Sequence, residues 1–337
     1  MTDHIDHGRR QALRVPLAVT LGASGAVLGF PATAHAAAGL SPEDVLKGNA
    51  LLSAILETQA PQRLGTGFAF AEGPIWDPKG FFYFTDPRGK ALHKVVPGQA
   101  SELVRKTSGA NGVAFDLQGR LLQCEGDFRR VTRWDPKAGT EEVFVDNASG
   151  KRFNRPNDVV VRADGTVLFT DPERRVPFAE REVNACIWKV APDGKVSVFA
   201  ECEYPNGLAF SSDERKLYVA NTRSLKYVEE FELRADGSIA KRRFFADMSF
   251  DDAPGSPDGI KVDAAGQVFC TGPGGIWVFS PAGERLGIIR CHEPAVNFAF
   301  GGNDLRTLLI CAHTSVYTLR VKTPGVPTAW ARVSGRA

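Results

Sequence analysis

From residue 68 onward the chain enters six short apolar runs through a residue that carries a side-chain oxygen. The entries are Glu72-Gly73-Pro74-Ile75-Trp76, Asn111-Gly112-Val113-Ala114-Phe115 and Asn157-Asp158-Val159-Val160-Val161, then Asn206-Gly207-Leu208-Ala209-Phe210, Asp258-Gly259-Ile260-Lys261-Val262 and Asn297-Phe298-Ala299-Phe300. One Asn-Gly or Asp-Gly pair is ordinary turn chemistry. Six oxygen-bearing residues at one repeat position form a constellation instead. Two carboxylates and four carboxamides, with no His or Cys, make a hard donor set. It suits Ca2+ first and Mg2+ or Mn2+ less well. Zn2+ normally recruits His or Cys and stands last among the candidates. The expectation is one divalent cation held by a subset of the six, completed by water.

The second apolar run of each repeat returns to the same end of the unit, at Asp86, Glu125, Asp171, Asn221, Gly272 and His313. These residues are expected to rim the same mouth, either as supports behind the metal ligands or as substrate contacts, with Asp171 and His313 as candidate substrate contacts. Asp86-Pro87 and Asp171-Pro172 read equally well as turns. Arg155, in Asn154-Arg155-Pro156-Asn157-Asp158, precedes a ring member by two residues and reads either as a contact for an anionic or polyhydroxy substrate or as half of a surface salt bridge. The region after the N-terminal signal has no GxSxG elbow for a Ser nucleophile and no Gly-rich phosphate loop.

Such residues meet only if the repeats close on a common axis. Start-to-start spacings are 39, 46, 49, 52 and 39 residues, and polar turns such as Asp77-Pro78-Lys79-Gly80 and Asp263-Ala264-Ala265-Gly266 divide each unit. That period, with no helical pattern between strands, predicts an all-β six-bladed β-propeller with one four-stranded blade per repeat. The propeller domain is expected over 67–325 with a tail at 326–337. The closing strand comes either from before Glu72 or from after Thr318. The chain of 337 residues is 43% hydrophobic and 24% charged, with 41 basic against 39 acidic residues. This composition excludes disorder and a strongly basic nucleic-acid footprint.

Residues 1–36 read as an export signal of the twin-arginine type: Arg9-Arg10, a weakly apolar run from Val15 to Phe30, and Ala34-His35-Ala36 as the cleavage site. Sixteen residues with three glycines are short for a membrane span. The expected location is periplasmic or secreted, with no membrane association after cleavage. Residues 37–66 form an extension. Ser41-Pro42-Glu43-Asp44 and the stripe Val45, Leu46, Leu51, Leu52, Ile55 and Leu56 predict a helix over 41–58. Six cysteines show no CxxC pattern. Cys124, Cys270 and Cys311 read as small core hydrophobes, and Cys186 with Cys202 is the pair to watch.

At these residues the sequence resembles the gluconolactonase, regucalcin (senescence marker protein) and luciferin-regenerating enzyme family. The carriers are Glu72 to Trp76, Asn154 to Asp158, Pro205 to Phe210, Pro257-Asp258-Gly259 and Asn297 to Gly302. The resemblance implies a divalent metal in the central channel, with Glu72, Asn206 and Asp258 as ligands. It makes Asn157 a fourth ligand or a substrate contact, and Arg155 a substrate contact. The implied reaction is hydrolysis of a sugar lactone such as glucono-1,5-lactone. In that reading the metal is the Lewis acid, Asp258 activates water, and Arg155 and Asn111 orient sugar hydroxyls. Two stretches depart from the family pattern: Cys124-Glu125-Gly126-Asp127 stands where Cys-Glu-His-Gly is usual, and Glu173-Arg174-Arg175 follows Asp171-Pro172 in place of an aromatic and Gly. Other readings of the same ring are a metal-dependent phosphotriesterase or aryl-esterase, and a non-catalytic propeller that uses the metal structurally.

Overall fold

The computed structural model describes residues 51–336 apart from 59, 174, 224, 250 and 251. The expected export signal and the first half of the expected 41–58 helix lie outside the described residues. Of that helix, α1 (Leu52–Ile55) is described, with both end residues buried.

Each repeat folds as an antiparallel four-stranded meander. The closing strand β1 (Gln62–Thr66) precedes the first blade of β2 (Glu72–Asp77), β3 (Phe81–Asp86), β4 (Ala91–Val95) and β5 (Glu102–Lys106). The second blade holds β6 (Val113–Phe115), β7 (Leu121–Glu125), β8 (Arg130–Asp135) and β9 (Thr140–Val145). A small hairpin, β10 (Asn147–Ala148) with β11 (Lys151–Arg152), leads to the third blade of β12 (Val159–Val161), β13 (Val167–Asp171), β14 (Cys186–Val190) and β15 (Val196–Glu201). The fourth has β16 (Pro205–Phe210), β17 (Lys216–Asn221), β18 (Tyr227–Leu233) and β19 (Ile239–Asp247). The fifth has β20 (Ile260–Val262), β21 (Val268–Gly272), β22 (Gly275–Phe279) and β23 (Arg285–Arg290). The sixth is composite: β24 (Asn297–Gly301), β25 (Thr307–Ala312) and β26 (Ser315–Arg320) are completed by β1, which pairs antiparallel with β26 from Gln62 opposite Thr318 to Thr66 opposite Ser315. The segment before Glu72 therefore closes the ring.

The strands in the second position of the blades are buried on both faces because neighbouring blades cover them. Phe82 and Phe84 of β3, Leu168 and Phe169 of β13, and Leu308 and Ile310 of β25 are all within 2% of full burial. The core is accordingly divided into six clusters, one at each junction of consecutive blades. Turns open on aspartates that accept backbone N–H groups two residues on, as Asp77 does from Lys79 and Asp263 from Ala265.

The hub strands β2, β6, β12, β16, β20 and β24 approach so closely that side chains do not fit between them at their starts. A Cβ on Gly73 would stand 2.1 Å from the Asn111 carbonyl oxygen, and one on Gly207 would stand 2.0 Å from that of Asp258. The glycines of the repeated pairs thus answer close backbone approach rather than turn formation. At its other end the hub is bordered by α2 (Ala329–Val333). The Thr328 hydroxyl caps this helix by accepting from the Ala331 N–H at 3.2 Å. Trp330 packs on Phe115 with ring centroids 4.6 Å apart, and Arg332 pairs with Glu214. An apolar cavity of about 150 Å³ lies between this tail and the distal ends of the hub strands.

Candidate active site at the open end of the hub

Where the hub strands begin, a cavity of about 710 Å³ opens to solvent. Glu72, Asn111, Asn157, Asn206 and Asp258 all line it, together with Arg155 and His313. Five of the six repeat-position residues therefore converge, contributed by five different blades. The sixth, Asn297, stands behind Glu72: its Nδ2 donates to Glu72 Oε2 at 2.9 Å, while its own Oδ1 accepts from the Phe298 N–H at 2.9 Å.

Glu72 is 2% exposed, and its Oε2 also accepts from the Gly73 N–H. Burial pushes its carboxyl up to about 7, and the nearby Asp158 carboxylate adds to the rise. The Gly73 and Asn297 hydrogen bonds and the Lys261 ammonium act the other way without cancelling it. Asn206 is oriented from outside: its Nδ2 donates to Thr222 Oγ1 at 2.8 Å, and that hydroxyl donates to the Pro257 carbonyl at 2.5 Å. The Asn206 Oδ1 is left buried with no hydrogen-bond partner among the described residues, and so is Asn111 Oδ1. Unpaired buried acceptors cost roughly 1–3 kcal/mol each.

Of the residues closing the second strands, Asp86, Asp171 and Asn221 take the supporting role, so Asp171 is not the substrate contact it was expected to be. Asp171 does not line the mouth. It is fully buried and accepts from the Asn154 N–H at 2.8 Å, the Arg155 N–H at 2.6 Å and Trp188 Nε1 at 2.9 Å. Burial raises its carboxyl to about 6 against those three donors. Asp86 likewise holds the Ala69, Phe70 and Gly89 N–H groups, and Asn221 holds that of Tyr204. In each case the clamped backbone lies two residues before a hub residue: Phe70 before Glu72, Arg155 before Asn157, Tyr204 before Asn206. His313 does reach the mouth, exposed, with φ +41° and its ring 5.5 Å from that of Phe70. The Arg155 guanidinium lines the cavity and pairs with Asp127.

Thr222 is a functional candidate that composition and spacing did not single out. The signal was present as a repeated Thr at the ends of second strands. Thr85 Oγ1 donates to the Asn111 carbonyl at 2.8 Å and Thr271 Oγ1 to the Val296 carbonyl at 3.0 Å, so with Thr222 each ties its blade to the start of the next hub strand.

The donor chemistry fits a hard divalent cation. Two carboxamide oxygens of lining residues lack a hydrogen-bond partner, a buried carboxylate is held against its own solvation, and a second carboxylate, Asp258, lines the same cavity. Among the described residues no group of three or more His, Cys, Asp or Glu is assembled, so a cation here would be held by carboxamides as much as by carboxylates.

A six-bladed propeller with an oxygen-donor hub open at one end is the class that fold and site define. Residues 70–314 match the model of the SMP-30/Gluconolactonase/LRE-like region, and the chain belongs to that family. It is 32% identical to a gluconolactonase of Zymomonas mobilis over 94% of this chain and 98% of that protein. It is 27% identical to a pentonolactonase of Haloferax volcanii, over 73% and 82%. The solved structure of a Xanthomonas campestris gluconolactonase superposes with a TM-score of 0.73 at 31% identity, covering 81% of this chain and 93% of that one.

Proposed function

We propose that this protein hydrolyses the internal ester of a sugar lactone, with glucono-1,5-lactone as the representative substrate, at the open end of the hub. The observation that carries the proposal is the convergence of Glu72, Asn111, Asn157, Asn206 and Asp258 on one cavity with two buried amide oxygens left unpaired. The lactonase relatives, one matched along nearly its whole length, support the reaction class. Glu72, Asn206 and Asp258, with Asn157 as a fourth, would hold one divalent cation, Ca2+ before the others. When bound, that ion supplies Lewis-acid polarisation of the lactone carbonyl.

The chain's own residues do the rest. The Asp258 carboxylate takes a proton from the attacking water, then returns it to the ring oxygen as the C–O bond breaks, giving the open hydroxy acid. Arg155 and Asn111 orient the sugar hydroxyls, and the Asp171 clamp keeps the Arg155 backbone in place. The reaction is placed outside the cytoplasm, a reading supported by the Arg9-Arg10 signal pattern.

The test is a pH-stat assay on glucono-1,5-lactone, γ-butyrolactone and paraoxon with Ca2+ or with EDTA. Hydrolysis of the sugar lactone that EDTA suppresses is expected. Asp258→Ala should lose about a hundredfold or more in kcat. Near-wild-type turnover by that variant removes Asp258 from the role, and turnover of paraoxon alone replaces the lactonase reading with a phosphotriesterase.

A further inference from the structure

The mouth carries more positive charge than a neutral sugar requires. Four cationic side chains line it, Arg88, Lys90, Arg155 and Arg175, against three carboxylates, Glu72, Asp127 and Asp258. A divalent cation at the hub would answer Glu72 and Asp258. Asp127 answers Arg155 in a pair whose acidic partner is 65% exposed, an arrangement that holds a guanidinium only weakly. Arg88 and Lys90 then remain to face an incoming ligand. Asp127 and Arg175 lie in the two stretches where the sequence departs from the family pattern, and both line the cavity.

One of these cations is built in place. The Arg88 guanidinium lies 4.6 Å from the centroid of the Phe70 ring, which is flanked by the His313 ring. The Phe70 and Gly89 N–H groups are both held by the Asp86 carboxylate, so the ring and the loop that carries Arg88 are fixed by one buried side chain. Lys90, at the end of that loop, has φ +52°, a left-handed conformation that a Lys keeps only when its surroundings impose it. Among the described residues, neither Arg88 nor Lys90 has a carboxylate partner. Stacking leaves the edge of a planar guanidinium free for bidentate contact with a carboxylate or phosphate.

We propose that the mouth selects a sugar lactone bearing an anionic group, with Arg88 and Lys90 receiving that group while the lactone carbonyl lies at the hub. This deepens the lactonase reading and rests on it.

The experiment compares kcat/KM, with spontaneous hydrolysis subtracted, for three lactones: neutral glucono-1,5-lactone, glucaro-1,4-lactone with a carboxylate, and 6-phosphoglucono-1,5-lactone. Each is assayed with Ca2+ at low and at 0.3 M salt, for the wild type, Arg88→Ala, Arg88→Lys and Lys90→Ala. At least one anionic lactone is expected to exceed the neutral one by about tenfold or more at low salt, chiefly through KM, with the advantage shrinking as salt rises. Which anionic lactone leads separates carboxylate from phosphate. Arg88→Ala should lose at least about tenfold more on that lactone than on the neutral one, and Arg88→Lys should recover part of the loss. A neutral lactone turned over as well as both anionic ones, or equal losses on all substrates in Arg88→Ala, overturns the proposal while leaving the lactonase intact. No turnover of any lactone by the wild type defeats both readings together.

Discussion

At the scale of single residues, the hub is governed by which oxygens are left without partners. Thr222 is the clearest lever, because its hydroxyl accepts from the Asn206 amide and donates to the Pro257 carbonyl, fixing the direction of Asn206 Oδ1. Thr222→Val removes the hydroxyl at nearly constant volume and frees the amide to rotate. Calorimetric Ca2+ affinity is expected to fall by roughly three- to tenfold, the worth of one hydrogen bond, and Thr222→Ser should retain it. Glu72 supplies a second test. Its carboxyl is raised by burial to about 7, so below that pH the cation-free protein holds a proton there that a cation must displace. Ca2+ affinity should therefore climb as pH rises towards 7 and level off above it. Proton release on Ca2+ addition should be measurable at pH 6 and absent at pH 8.5 and in Glu72→Gln. The same raised value means that the cation-free fold is favoured in acid and loses that contribution as pH rises through about 7.

At the scale of elements, the repeat-position oxygens and the strand starts were legible because six copies share one pattern. Two things were not. The Asn-Gly and Asp-Gly pairs look like turns in one dimension, and only the packing of Gly73 on Asn111 and Gly207 on Asp258 shows that they mark touching hub strands. Of the second-strand termini, His313 lines the mouth, whereas Asp171 was assigned to the right end of its blade but not to the right direction. Spacing says which residues reach the mouth, whereas a carboxylate within reach of three N–H groups turns to them and away from solvent. Asp171 is the case in point, and its loss should act through position: Asp171→Ala leaves three donors without their acceptor. A stability loss of about 3 kcal/mol is expected by denaturant titration. Lactonase KM should rise more than kcat falls, because the Arg155 backbone is released while Asp258 is untouched. An unaltered KM would show that the clamp does not position Arg155.

At the scale of the whole molecule, the ring is held shut by both ends of the described chain. β1 adds the outer strand of the sixth blade, and the segment around α2 crosses the end of the hub opposite the mouth. Nothing in the repeat announced the second closure, because the tail has no partner of its own kind and its fit depends on surfaces drawn from several blades. Trp330 is 6% exposed and lies over Gly119, where a Cβ would come within 2.7 Å of the indole. Arg332 reaches Glu214 of the fourth blade, and the Val326 N–H donates to the Val262 carbonyl of the fifth at 3.2 Å. One tail thus spans the second, fourth and fifth blades and lines an apolar cavity at that end of the hub. Trp330→Ala removes the largest side chain of that tail, and a buried Trp truncated to Ala costs roughly 3–5 kcal/mol. The variant should melt lower and bind a hydrophobic dye in the exposed channel, while Ca2+ affinity and lactone KM stay near wild type, since the mouth is framed by the opposite ends of the same strands. Parallel loss of cation affinity and stability would instead show that the hub strands transmit the state of one end of the channel to the other.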